Sequence, residues 1–169
     1  AADGGETLLV EGRGELLLQD LTFTLFGTPD RIDLLPGGKL HLIDYKTGNP
    51  PSEKEQKSFA KQLHLAALIA EDGGFKGLGP QEVAKITYVG LGSSGKVTED
   101  EINAEILAFV RKGLYRLIGS YALLSKGYTS RRAVFTERFP GDYDHLARFG
   151  EWEMTDRPDP QPVGGKADT

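Results

Sequence analysis

The sequence predicts an α/β fold in which a mixed central β-sheet is flanked by helices, and two observations carry that reading. Short segments of period-2 apolar alternation come first. A long helical stripe, a further strand pattern and a second long helical stripe follow. Strands, helix, strand, helix is the order of a layered sandwich.

The elements follow in order. Residues 7–18 read as a strand region broken at Gly12-Arg13-Gly14. From Leu21 to Tyr45 the apolar pattern reads as two strands. Leu21, Phe23 and Leu25 alternate with Thr22 and Thr24, and the run continues through Ile32, Leu34 and Leu35. Pro36-Gly37-Gly38 is a strong turn signal, after which Leu40, Leu42 and Ile43 lead into Asp44. Asn49-Pro50-Pro51 ends the hairpin, and Ser52 is a good helix N-cap with Glu55 at capping-box spacing. The helix is expected over 53–71, with Phe59, Leu63, Ala66, Ala67 and Ile69-Ala70 as its apolar stripe. A strand is expected over 82–91. Gly92-Ser93-Ser94-Gly95 is then a plain turn, since it lacks the lysine and context of a phosphate-binding loop. Thr98 is expected to cap a second helix over 99–126, with Ile102, Ile106, Phe109, Leu114, Leu117, Ile118, Tyr121 and Leu124 toward the core. Residues 127–140 read as loop and extended chain, and 142–152 as a short docking helix. From Thr155 on, Pro, Gly, Asp and Lys predict a flexible tail, so the domain is expected over 1–154 and the tail over 155–169.

The hairpin holds the chemistry. Side chains alternate along a strand, so Asp44 and Lys46 share a face. If the loop is Pro36 to Gly38, Leu35 faces Lys39 and Asp30 falls opposite Asp44 on that same face. If the loop is only Gly37-Gly38, every side chain on one strand changes face and Asp33 replaces Asp30. Proline fits the first loop position and needs no ladder donor, which favours Asp30, with Asp33 as the alternative. Arg31 lies on the Asp33 face and is placed to pair with it if Asp33 turns away.

Two carboxylates and an ammonium on one sheet surface are costly unless something binds there. Mg²⁺ suits the set, because it takes oxygen ligands, keeps several waters and needs only one or two carboxylates; Mn²⁺ or Ca²⁺ is an acceptable replacement. The Tyr45 carbonyl, between Asp44 and Lys46, is a candidate third ligand. A divalent ion there lowers the pKa of a water able to attack a phosphodiester, and Lys46 orients that water or offsets charge on phosphorus.

These residues resemble the RecB-like branch of the PD-(D/E)xK nuclease family. Its pattern is G-x-x-D, then D-Y-K-[TS] on a strand, then Q-L on a helix. Here these are Gly27-Thr28-Pro29-Asp30, Asp44-Tyr45-Lys46-Thr47 and Gln62-Leu63. The fuller run Asp30-Arg31-Ile32-Asp33 with Asp44-Tyr45-Lys46-Thr47-Gly48 is most similar to the C-terminal nuclease domain of AddB-type helicase–nuclease subunits. Tyr143-Asp144-His145-Leu146-Ala147-Arg148 with Glu151-Trp152 looks like the closing segment of alphaproteobacterial AddB-type proteins. The resemblance implies a restriction-endonuclease-like core. Asp30 and Asp44 would be metal ligands, Lys46 the catalytic lysine, and Gln62 a residue orienting water, Lys46 or DNA. It also implies a Mg²⁺-dependent DNA exonuclease of an AddAB/RecBCD-like complex that processes double-strand ends for recombinational repair, in the cytoplasm at the nucleoid. A single strand delivered from a duplex end, an AddA-like subunit and upstream helicase-like domains would be its partners. The chain then reads as a C-terminal piece of a longer polypeptide.

Two departures keep an alternative open. The family's Q-L-x-x-Y tyrosine position is Ala66. The histidine or acidic ligand usually found on a helix before the hairpin is matched by none of the upstream Glu6, Glu11 and Glu15, of which Glu11 and Glu15 read as strand or loop residues. The alternative is a catalytically inactive DNA-binding or scaffold domain of the same kind of complex.

Composition bounds the rest. The 169 residues suit one domain, and 38% hydrophobic with 27% charged residues fits a globular protein. No apolar run is long enough to span a bilayer, and the first residues do not form a signal peptide. The absence of cysteine excludes the disulfides, thiolate zinc sites and cysteine-ligated iron–sulfur cluster that some related nucleases carry. A net charge of −5 argues against a stand-alone DNA binder, although Lys54, Lys57 and Lys61, and Arg131-Arg132, form local basic patches. His41, His64 and His145 lack ligand spacing, and His41 is expected on the face opposite Asp44.

Overall fold

The structure, a computed structural model, describes residues 5–58, 60–93, 95–127, 151, 156, 157 and 159, without the side chains of Lys57, Ser58 and Leu124. The chain divides into two compact units, 1–116 and 117–169. The first carries all the elements discussed here except the end of the last helix. The expected helix over 142–152 and most of the tail lie outside the described residues.

The strands are β1 (Glu6–Val10), β2 (Gly14–Leu18), β3 (Phe23–Gly27), β4 (Arg31–Leu34), β5 (Leu40–Lys46), β6 (Val83–Gly90) and β7 (Val97–Glu101). The helices are α1 (Glu53–Ser58), α2 (Gln62–Glu71) and α3 (Ala104–Tyr121). Five strands form one mixed sheet in the order β1-β4-β5-β6-β7, in which only β5 and β6 run parallel. The parallel pair requires a crossover, which α1 and α2 supply. β2 and β3 form a separate two-stranded sheet. This is the mixed α/β arrangement of a restriction-endonuclease-like core.

α2 is the centre of the packing. It touches β5 and β6 on one side and β2 and β3 on the other. Leu63, Ala66, Ala67, Leu68, Ile69 and Ala70 are all at most 2% exposed, so the helix is buried nearly all round rather than on one stripe. Small side chains let the two-stranded sheet approach. A Cβ at Gly27 would lie 2.9 Å from Ile69 Cδ1, and one at Gly14 would lie 2.5 Å from the Phe75 ring. Ala66, where the family pattern has tyrosine, is buried beneath Gly27, whose added Cβ would be 3.9 Å from it.

Four expectations need correction. The alternating run from Leu21 does not extend into the hairpin. Gln19–Leu21 is a 3-10 turn, β3 pairs with β2, and the chain breaks at Thr28-Pro29-Asp30 before β4. The helix expected over 53–71 is two helices. Its ladder is interrupted where the Ala60 N–H donates to the Glu55 carbonyl, after which Leu65 N–H donates to Lys61 and a new helix runs on. Thr98 is not a cap but the second residue of β7, an edge strand paired with β6. The true cap of α3 is Asn103, whose Oδ1 accepts the Ile106 N–H at 2.9 Å. Finally, the core face of α3 is Leu107, Val110 and Leu114, while Phe109 and Leu117 are 72% and 49% exposed.

The Ser52 expectation holds. Its N–H and hydroxyl both donate to Glu55 Oε2, at 2.6 and 2.8 Å, and its Oγ faces the Glu55 N–H at 3.4 Å. The Ser52 hydrogen bonds hold the Glu55 carboxyl below its ordinary range.

Candidate active site

The β4–β5 register decides which carboxylate faces the site. Arg31 lies opposite Ile43, Ile32 opposite Leu42, Asp33 opposite His41 and Leu34 opposite Leu40. The loop is the Pro36–Gly38 form, closed by Leu35 N–H to the Lys39 carbonyl at 2.9 Å, with Gly37 and Gly38 at φ +104° and +83°. Those angles are open to glycine and strained for other residues. Asp30, one residue before β4, therefore comes opposite Asp44. Its Oδ2 accepts the Tyr45 backbone N–H at 2.6 Å, so its carboxylate sits at the peptide that joins Asp44 to Tyr45.

On that face, Asp44, Lys46 and Gln62 form a closed triangle. Gln62 is the first residue of α2, and its Nε2 donates to Asp44 Oδ1 at 2.7 Å. Lys46 Nζ donates to Gln62 Oε1 at 2.9 Å and lies 2.6 Å from Asp44 Oδ2. Asp44 is 2% exposed. Its Oδ2 has the lysine charge in contact but no donor aligned on it as a hydrogen bond, and it is closed to solvent. A buried carboxylate oxygen in that state is an acceptor with spare capacity. Together with Asp30 and the Tyr45 carbonyl it offers an all-oxygen donor set. Among the described residues no group of three His, Cys, Asp or Glu side chains is placed to cage a metal. A two-carboxylate set fits Mg²⁺, which keeps much of its water, better than it fits a fully caged ion.

Asp33 is on the other face, as its register demands. It is 1% exposed and meets Arg31 in a two-pronged pair at 2.6 and 2.7 Å. Burial pushes its carboxyl up. The Arg31 and Thr7 hydrogen bonds and the Arg31 charge outweigh that and hold it below the ordinary carboxylate value. His41 is also on this face. The Thr87 hydroxyl has one proton, and Glu99 Oε2 takes it at 3.1 Å, so His41 Nε2 is the donor in the 2.7 Å contact with Thr87. Lys85 completes the cluster at 3.1 Å from Glu99. His41 is thus engaged in the sheet and away from Asp44.

His64, on α2, is buried; burial and then the Lys61 charge lower its pKa, against the Asp100 charge. It lines a cleft of about 740 Å³ with Gln56, Lys61, Asp100, Glu105 and Phe109, which includes none of Asp30, Asp44, Lys46 or Gln62. The acidic rim is a poor seat for phosphate. Lys61, one of the expected basic patch, lines this cleft beside Asp100, Glu101 and Glu105. Burial lowers the Lys61 pKa, and Asp100 is the charge that opposes this. One residue beside the triangle drew no attention in the sequence. Tyr88 pairs with Asp44 across β5 and β6, and its hydroxyl lies 3.2 Å from Leu63 N at the start of α2. Only the parallel register, which adjacent residues do not reveal, brings it there.

Residues 5–153 match the sequence pattern of the PD-(D/E)XK nuclease superfamily. With that match over most of its length, the chain belongs to this superfamily. A relative from Rickettsia bellii (strain RML369-C), described only as an uncharacterized protein, is 26% identical over 129 aligned residues; these take in 66% of this chain and 16% of the relative. The chain therefore spans a small part of that relative's length. Among the described residues no helix is long and apolar enough to cross a membrane.

Proposed function

We propose that this chain is a Mg²⁺-dependent deoxyribonuclease domain, extending over residues 1–154 with a tail from 155. The observation that carries the reading is the Asp44–Lys46–Gln62 triangle with the Asp30 carboxylate on the adjacent Tyr45 N–H. Asp30, Asp44 Oδ2 and the Tyr45 carbonyl would hold the ion. When bound, Mg²⁺ supplies Lewis-acid charge to a phosphodiester and makes water more acidic.

The chain's own residues do the rest. Gln62 occupies Asp44 Oδ1 and so fixes the carboxylate plane, leaving Oδ2 as the ligand oxygen. Its Oε1 fixes the Lys46 ammonium, which has three donors and so keeps two uncommitted for a phosphoryl oxygen or a water. A positive group preset where negative charge develops lowers the barrier without reorganising.

The finer reading is an exonuclease of an AddAB-like helicase–nuclease that works in recombinational repair of double-strand breaks, at the nucleoid. Support comes from the Asp30-Arg31-Ile32-Asp33 and Asp44-Tyr45-Lys46-Thr47-Gly48 runs and from the terminal segment through Trp152. The relative's much greater length agrees with a domain of a larger chain. Upstream helicase-like domains and an AddA-like partner would deliver the strand, which the chain's net charge of −5 makes it poorly suited to capture alone.

Calorimetric titration with MgCl₂ tests the site. The protein should bind the ion saturably, and Asp44→Asn and Asp30→Asn should each weaken binding about tenfold or more. Glu82→Gln, at an exposed pair with Lys39, should bind as the parent does. Unchanged affinity in both aspartate variants would remove the site, and absence of binding by the parent protein would favour the inactive scaffold.

A further inference from the structure

We propose that Tyr88 is a positioning residue for this centre, its hydroxyl anchoring the start of α2 and its ring supporting Lys46, so that Gln62 and Lys46 are held against Asp44. The proposal rests on the reading of Asp44, Lys46 and Gln62 as a nuclease centre.

The first turn of a helix leaves N–H groups without partners inside the helix. At α2 the N-cap residue is Lys61, which makes no side-chain capping bond. The Leu63 N–H is instead taken by the Tyr88 hydroxyl at 3.2 Å, across from the sheet. The same hydroxyl donates to the Ala60 carbonyl at 3.4 Å. A phenol offers one donor, and here it accepts and donates on the two sides of Lys61, where α1 stops and α2 begins. One side chain therefore ties both ends of the helix break to β6. The break in turn decides where Gln62 sits, because Gln62 is the first residue after it.

The ring acts on the second member of the triangle. Lys46 Nζ lies over the Tyr88 ring, 5.7 Å from its centroid, within range of cation–π attraction. Tyr88 is 1% exposed and is the β6 partner of Asp44, so both contacts originate from a fixed point of the sheet. The phenol proton goes to the Ala60 carbonyl, and the oxygen is left to accept from the Leu63 N–H. The 2.7 and 2.9 Å bonds of Gln62 to Asp44 and Lys46 leave little slack. A shift of about 1 Å in catalytic groups costs on the order of 100-fold in rate.

Tyr88→Phe separates positioning from packing, because it keeps the ring, the core volume and the Lys46 contact. In the intact protein, kcat for DNA cleavage should fall roughly tenfold or more with KM nearly unchanged. Mg²⁺ affinity should stay within about twofold, since the hydroxyl touches no proposed ligand. Amide exchange at Leu63 should quicken by about an order of magnitude, and the Gln62 side-chain amide resonances should shift. Tyr88→Leu, which removes ring and hydroxyl together, should lose more activity than Tyr88→Phe. Unchanged kcat, Leu63 exchange and Gln62 resonances in Tyr88→Phe would overturn the proposal. Failure of the nuclease reading is a separate result, in which the parent protein neither binds Mg²⁺ nor cleaves DNA. The Leu63 and Gln62 signals would still decide whether Tyr88 holds Gln62.

Discussion

Lys46→Met is expected to lower kcat for DNA cleavage by about 10²- to 10⁴-fold while leaving the fold intact. Methionine matches the length of the stem but removes the charge and every donor. Lys46 is about one-third exposed, on the last residue of β5, so little packing is lost. Three things change at the site. Gln62 Oε1 loses its 2.9 Å donor, Asp44 Oδ2 loses the charge 2.6 Å away, and no preset cation remains for the phosphoryl group. The first two concern the resting site and leave the carboxylates free to bind a cation. Mg²⁺ affinity should therefore be equal or higher, because a competing positive charge has gone. Loss of turnover with retained Mg²⁺ binding is the signature of a group that acts on the reacting phosphate. Single-turnover cleavage measured beside the titration tests it, and parallel loss of both would assign Lys46 to holding the site together.

The largest stability effect should come from Arg31→Met. Asp33 is 1% exposed, and Arg31 supplies both prongs of its pairing. Removing the guanidinium leaves the buried carboxylate without compensation, and because Arg31 itself is 27% exposed the cost is about 2–3 kcal/mol, below that of a fully buried pair. The pH dependence follows from the Asp33 shift. Its folded-state pKa lies below the unfolded value, so its contribution is fully present above the unfolded carboxylate range and disappears as pH falls through the folded value. In Arg31→Met the carboxyl should instead titrate upward, since burial then acts without the guanidinium. The variant should thus be least stable relative to the parent near neutral pH, and the gap should narrow in acid. Denaturant midpoints between pH 7 and pH 3 check this; a gap independent of pH would mean that Arg31 acts through packing alone.

What the sequence revealed is local chemistry. Pro36-Gly37-Gly38 carries its own loop geometry, and from that loop the Asp30–Asp44 pairing follows, as does the turning of Asp33 toward Arg31. The Ser52–Glu55 box is equally local. What stayed hidden depends on partners far along the chain. The run Val97-Thr98-Glu99-Asp100-Glu101 has the acidic character of a helix start, and only its pairing with β6 makes it a strand. The break between Ser58 and Gln62 carries no proline or glycine. It is held by Tyr88, which lies 25 residues beyond Leu63. Leu21, Phe23 and Leu25 alternate as strand residues do, yet alternation does not say which sheet a strand joins. At the candidate site, residue types and register on one hairpin were legible. The position of Gln62 against them rests on the packing of α2 between two sheets.

Cleavage of end-labelled DNA in Mg²⁺ by the intact protein and by its Asp44→Asn variant tests the central claim most directly. Asparagine keeps the shape of the side chain and can still accept from Gln62, while removing the negative charge from the proposed ligand. The parent protein should cleave, chelation with EDTA should abolish cleavage, and Asp44→Asn should cleave about 10³-fold or more slowly with an unchanged fold. Cleavage by Asp44→Asn at the parent rate would contradict that claim.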